Sequence, residues 1–391
     1  MLIFSKSENT MRDDMFLEMV HPSGFLLYIN HDKLKLFSHS MVLYMQILNV
    51  WSIYYLSNNF DLFLQYNSLL LAQHFGLSSA VYLTISYHHI IQFKNRVKAV
   101  LWPLDFCGKR THDKLLKQIR LLKYEFIIII FCTIGGHALF MPIVGDESDI
   151  FIEIRLIDEV FGKDVRSKVL SSVFYIGIVF LGISIGGVVN LFVYFSVHIE
   201  TQFHLLNLKV ENISGGLERI EEEDRFQRIL GSRLKFCIAR HITLLKLFYS
   251  METIHNNWPV LIFSLTGVLM IVSEIYLLLA GISSRSNIRL MLAMVTTGYI
   301  AFLFVFHGQK LENEYLRLHH AAQNCSWHRW NKQNIFYLRM LLMNSSKPIK
   351  ITSFHMVDLD YTLPVKVREP NNFVSFQSTF YIKNVPQGVT D

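Results

Sequence analysis

The apolar residues of this chain are gathered into long uncharged runs. Stretches 36–60, 62–93, 126–145, 169–197 and 290–309 contain no Asp, Glu, Lys or Arg, and 258–280 contains one, Glu274. A helix needs about 20 apolar residues to cross a bilayer, and buried helices of water-soluble proteins rarely sustain such runs six times. The pattern therefore predicts an all-α, polytopic membrane helix bundle with six clear spans. Between the runs the pattern changes to helical periodicity. Leu115, Leu116, Ile119 and Leu122 recur among basic residues, and an amphipathic stretch covers 234–254. Further helical stretches are expected at 311–322 and 334–343. The Glu221, Glu222, Glu223, Asp224 run pairs forward with Arg225 and Arg228, as on a solvated helix face.

Charge orients these spans. Segments on one side carry 21 Lys and Arg and those on the other carry 6, so the amino terminus is expected in the cytosol. The organisation that follows is a cytosolic leader at 1–35 and a six-span bundle at 36–309. The bundle has cytosolic extensions at 94–124 and 198–256. Anchor-like cytosolic helices follow at 310–356, then an atypical tail at 357–391. No signal peptide is recognisable at the start, so the first span is expected to direct insertion. The short link near 57–61 makes spans 1 and 2 an antiparallel hairpin. The acidic outer segment 146–168 contains an apolar patch, 150–154, expected to fold back over the bundle.

Composition narrows the function. The chain is 51% hydrophobic and only 17% charged, with mean hydropathy +0.31, against about 25% charged for a soluble domain. The net charge of +6 is a topology signal; no basic–aromatic patch of a nucleic-acid binder is present. Phosphate loops, zincin motifs and nucleophile elbows are absent, so neither an enzyme nor a cofactor is expected. Cys107, Cys132, Cys237 and Cys325 have no metal-ligand spacing, and no disulfide or metal is expected. The sequons at Asn212, Asn324 and Asn344 fall on the cytosolic side, where they are chance matches.

Polar groups inside spans carry the remaining information. Glu274 costs about 2.5–3.5 kcal/mol at mid-membrane and must face a cavity, a partner or water, or be protonated. His74 and His137 fall toward the outer half. Phe75, Phe140, Met141, Phe174, Tyr175 and Tyr276 fall at similar depth. Together with Glu274 these nine form the candidate ligand site, an aromatic cavity suited to a small hydrophobic ligand; core packing explains the same residues equally well. Gly182, Gly186 and Gly187 in span 4 suit close helix packing.

The segment after span 6 reads His307-Gly308-Gln309-Lys310-Leu311-Glu312-Asn313-Glu314, then Trp330, then Tyr337-Leu338-Arg339-Met340-Leu341-Leu342, then Lys347-Pro348-Ile349. This order resembles the insect odorant receptor family, as does Cys237-Ile238-Ala239-Arg240-His241 ahead of span 5. The resemblance implies a seven-helix, inverted-topology subunit of a ligand-gated, non-selective cation channel. It implies a small hydrophobic odorant as ligand and a shared co-receptor as partner in a heterotetramer. The expected location is the plasma membrane of the olfactory sensory neuron dendrite. It assigns Gly308, Gln309, Trp330, Leu341 and Pro348 to an anchor between subunits.

One departure stands out. The family's last span should begin near His355, but Asp358, Asp360, Lys366, Arg368 and Glu369, with Pro364 and Pro370, cannot share a lipid-facing helix. The seventh span is thus degenerate or missing. The tail reads either as an alternative or wrongly joined last exon, or as a six-span variant, and no pore-lining residue is assigned. A G-protein-coupled receptor, which requires an outside amino terminus, and a secondary transporter, resting on Glu274, remain the alternatives.

Overall fold

The structure, a computed structural model, describes residues 32–58, 60–102, 108–138, 151–217, 221–256, 284–353 and 357–358, and scattered positions between 266 and 279. The leader, the 139–150 segment, Glu274 and the tail beyond 358 lie outside them. The described elements are α1 (Asp32–Leu56), α2 (Phe60–Ile85), α3 (Tyr87–Val100), α4 (Lys109–Ala138), α5 (Ile152–Phe161), α6 (Val165–Glu211), α7 (Glu223–Asn256), α8 (Ser284–Gln323) and α9 (Lys332–Ser345). A two-residue antiparallel pair, Thr352–Ser353 with Val357–Asp358, follows. The fold is all-α, as the hydrophobic pattern predicts.

Among the described residues, α6 is long and apolar enough by itself to cross a membrane, with mean hydropathy 2.3. The second run departs from the expectation of one straight span. Leu69–Ile85 and Tyr87–Val97 meet the criterion only together, across a 65° bend. Three hydroxyls on α2 return to its own backbone: Ser78 Oγ donates to the His74 carbonyl, Ser79 Oγ to that of Phe75, and Thr84 Oγ1 to that of Ala80. Such back-bonding competes with the helical ladder and bends helices. The expected extension at 94–124 is likewise two elements: α3 stops at Val100, where Leu101 turns extended (ψ 132°), and a new helix starts at Lys109 after Gly108 at φ 97°.

The described residues divide into two compact units, Met1–Phe195 with Trp258–Phe302, and Ser196–Asn257 with Leu303–Asp391. In the first, α1 and α2 form the expected hairpin. Its core gathers Met41, Met45 and Leu48 of α1, Leu77 and Ala80 of α2, and Phe174, Ile178 and Leu181 of α6. The apolar patch at 150–154 becomes Phe151 and the first turn of α5. Ile152, Ile154, Leu156 and Ile157 of this helix are buried while Arg155, Glu159 and Val160 face outward, so the helix lies against the hairpin by one apolar face.

Glycine sets how closely the helices approach. A Cβ on Gly76 would stand 2.6 Å from Leu181 Cβ, and one on Gly186 would stand 2.7 Å from Thr133 Oγ1. Gly186 of the span-4 glycine group thus marks the α4–α6 approach. In the second unit α7 packs along α9, with Phe203, Leu206, Leu244, Phe248, Leu318 and Leu341 buried.

Gly76→Ala forces Leu181 and its backbone to move and is expected to destabilise the protein by about 1–3 kcal/mol. Gly135→Ala, whose Cβ would meet nothing within 4 Å, is expected to be neutral or to stabilise by about 0.5–1 kcal/mol. Thermal unfolding of the two detergent-solubilised variants side by side measures the difference.

Candidate functional site

Of the nine residues expected to form a ligand site, the described structure brings two into one cluster. Phe174 is fully buried, and its ring meets Phe151 edge-on at 5.1 Å; Tyr175 meets Phe151 at 6.1 Å. Met41, Met45, Tyr44 and Trp51 pack in the same core, and Tyr44 donates to the Leu170 carbonyl at 2.9 Å. Phe75 is buried on α2, and Tyr276 is about half exposed. The side chain of His137, and Phe140, Met141 and Glu274 altogether, lie outside the described residues.

His74 leads to a group that the apolar pattern does not show. Its Nδ1 lies 3.1 Å from Asn49 Oδ1 across the hairpin. Asn49 and Ser52, one turn apart on α1, are fully buried; Gln73 of α2 is 4% exposed and Glu153 of α5 is 1% exposed. The Glu153 carboxyl sits beside Gln73 and Ser52. Yet Asn49 Nδ2, Ser52 Oγ, Gln73 Nε2 and Glu153 Oε1 each lack a well-formed hydrogen bond among the described residues. Burial pushes the carboxyl up to about 7, against weaker opposing pulls from its own backbone, Gln73 and Ser52. The sequence signal for this cluster is an acid inside the otherwise apolar 150–154 patch.

In the second unit, the residues assigned to an anchor divide by exposure. Trp330 and Leu341 are buried within the unit, Gly308 is buried, Gln309 Nε2 donates to Glu312 and Asn313, and Pro348 is exposed. The joint between α7 and α9 is polar. Asn331 caps α9 by accepting from the Asn334 amide at 2.8 Å. Gln227 of α7 accepts from the Asn331 amide at 3.0 Å and from Asn334 Nδ2 at 2.8 Å, and donates to the Arg329 carbonyl at 2.7 Å. A second network joins α6 to α8. His204 lies 3.2 Å from Glu314, Asn207 Nδ2 donates to the Glu314 carboxylate at 3.0 Å, and Arg317 pairs with Glu211 at 3.0 Å. Burial pushes the Glu314 carboxyl up, but His204, Arg317 and Asn207 outweigh it and hold it below its ordinary value. At the surface of α9, Phe336, Met340 and Met343 form an exposed apolar stripe at i, i+4 and i+7.

The sequence profile described as 7tm Odorant receptor matches residues 107–362. The chain belongs to the odorant receptor family. The receptor is therefore a membrane protein, a ligand-binding receptor and not an enzyme. Its fold is similar to that of the insect olfactory receptor OR5 from Machilis hrabei, at TM-score 0.65 and 10% identity over 91% of this chain and 90% of that one. The same protein in complex with eugenol matches at TM-score 0.70 and 11% identity, over 93% and 99% of the two chains. No curated protein sequence matches the receptor. At Val357–Asp358, where the family resemblance would start a last helix, the receptor is extended and paired with Thr352–Ser353.

Glu314→Gln removes the charge that His204 and Arg317 hold. Because the folded carboxyl lies below its ordinary value, its contribution is present above that value and lost as pH falls. The variant is expected to be less stable by about 1–3 kcal/mol at pH 7. The gap should close as pH falls below the carboxylate range, as read from melting temperatures of the two proteins across pH.

Proposed function

We propose that the receptor binds a small hydrophobic odorant and, joined to a shared co-receptor in a heterotetramer, gates a non-selective cation channel in the dendritic plasma membrane of olfactory sensory neurons. The observation that carries this reading is membership of the odorant receptor family across 107–362. The likeness in fold to a receptor solved with eugenol supports a small aromatic volatile as the class of ligand. In this reading the chain spans the bilayer six times with its amino terminus inside. The odorant meets His74, Phe75, His137, Phe140, Met141, Phe174, Tyr175, Glu274 and Tyr276 in the outer half. No covalent chemistry is involved: the odorant binds the open arrangement better and shifts the equilibrium by that difference.

The α6–α8 ion pairs and the α7–α9 amide network tie the helices of the second unit to one another. Gly308, Gln309, Trp330, Leu341 and Pro348 belong to the anchor here. Trp330 and Leu341 hold its interior, and the exposed Phe336, Met340 and Met343 stripe supplies apolar area of the kind subunit interfaces bury.

Whole-cell recording from cells expressing the receptor with a co-receptor, under a panel of small volatiles that includes eugenol, tests the reading. An odorant-evoked, non-selective cation current is expected. Surface delivery of both chains without current under any volatile overturns it. Met340→Glu is expected to lower recovery of the co-receptor with the solubilised receptor by about tenfold, the equivalent of 1.4 kcal/mol. A control at exposed Arg339 on the same helix, Arg339→Glu, should change recovery less.

A further inference from the structure

We propose that Glu153, seated between Ser52 and Gln73, is a proton-controlled latch that holds α5 against the α1–α2 hairpin. The latch rests on neither odorant binding nor channel assembly.

The argument starts from the helix itself. A ten-residue helix is marginal alone, so α5 depends on the surface beneath it. Its inward face is Ile152, Glu153, Ile154, Leu156 and Ile157. Four of these five bury apolar surface, and the fifth carries an acid to a place where apolar packing would be simpler. Two neutral hydrogen-bonding groups from two other helices stand where that acid arrives, Ser52 of α1 and Gln73 of α2. The arrangement is a receptacle for a carboxyl group, built by the hairpin and filled by the helix that covers it.

Burial favours the neutral acid. No ion pair among the described residues includes Glu153, and the desolvation outweighs the weaker opposing pulls of its own backbone, Gln73 and Ser52. An ionised carboxylate there would need both side-chain donors in good geometry, yet Ser52 Oγ and Gln73 Nε2 do not close regular bonds. A protonated carboxyl carries no charge to compensate and can donate as well as accept. The neighbouring titratable groups do not replace a counter-charge. His74 of α2 bonds Asn49, which lies one turn from Ser52 on α1. Tyr55 of α1, Tyr66 of α2 and Tyr175 of α6 belong to the adjoining apolar clusters. On α5 itself Arg155 pairs with Glu159 at the surface, 3.2 Å away, and Asp158 is engaged by Ser167.

The helix ends at Gly162, at φ 70° with open space where a Cβ would be, a backbone state that glycine reaches without strain. Lifting α5 would expose Glu153 to water, where it ionises at its ordinary value. The sign follows. Burial pushes the docked carboxyl up to about 7 from its ordinary 4.5, so docking is fully favoured in acid. It weakens by up to about tenfold per pH unit between those values and is level above them.

Alkylation of the detergent-solubilised full chain tests the latch, with modified sites read by peptide mass spectrometry. Leu156→Cys places a thiol on the buried face and Val160→Cys one on the exposed face, so the ratio of the two rates cancels thiol ionisation. From pH 5 to pH 7 the ratio is expected to rise at least about tenfold. In Glu153→Gln backgrounds, where the side chain is uncharged at every pH, it should change less than about twofold. Hydrogen exchange of the α5 amides in the chain with no cysteine substitution gives the same reading without a cavity at position 156. Protection, corrected for intrinsic exchange, should fall over this range and stay level in Glu153→Gln. A level ratio in the chains that keep Glu153, or an equal rise in the Glu153→Gln backgrounds, overturns the proposal. None of these readings requires odorant, co-receptor or current, so failure of the channel reading leaves this test intact.

Discussion

Satisfying polar groups away from water is the constraint on which this structure turns. A chain with so much apolar surface has no difficulty finding hydrophobic contacts; its specificity comes from the few polar groups it buries with them. Unpartnered polar atoms in such surroundings cost several kcal/mol each, and several buried ones are tied to a particular neighbour. Ser78, Ser79 and Thr84 return their hydroxyls to the backbone of α2, and the helix bends nearby. Asn207 and His204 close on Glu314. Gln227 and Asn334 satisfy one another between α7 and α9.

The two units meet this constraint differently. In the first, contact is mainly apolar, and close approach at Gly76 and Gly186 lets dispersion forces act over short distances. The buried polar residues Asn49, Ser52, Gln73 and Glu153 are exceptions within that unit. In the second, ionic and amide networks tie helices together. Both units leave apolar side chains on the surface, Ile47, Tyr54 and Phe131 in the first and Phe336, Met340 and Met343 in the second.

Much of the fold was legible along the chain because long apolar runs and amphipathic repeats are local properties. The hairpin of α1 and α2, the inward fold of the 150–154 patch and the helix at 332–345 follow from spacing alone. The bend at Ser86 was not legible, since the run 62–93 is uniformly uncharged and hydroxyl back-bonding leaves no mark in hydropathy. Of the expected ligand residues, Phe174 and Tyr175 share a cluster because both lie on one stretch of α6. Depth in the membrane, the criterion used to collect the nine, says nothing of which face of a helix each residue occupies.

By itself the sequence determined that this is an all-α membrane chain, and the order of its residues from 107 to 362 determined its family. Hydropathy and residue order act through composition and local periodicity, and neither needs a partner distant in sequence. Tertiary structure decided which polar residues meet. Ser52 and Glu153 lie more than a hundred positions apart, and His204 lies 110 from Glu314. Pairings of that kind depend on helix rotation and on how closely two helices pack. Both are set by the fit of many side chains at once, and no single segment carries that information.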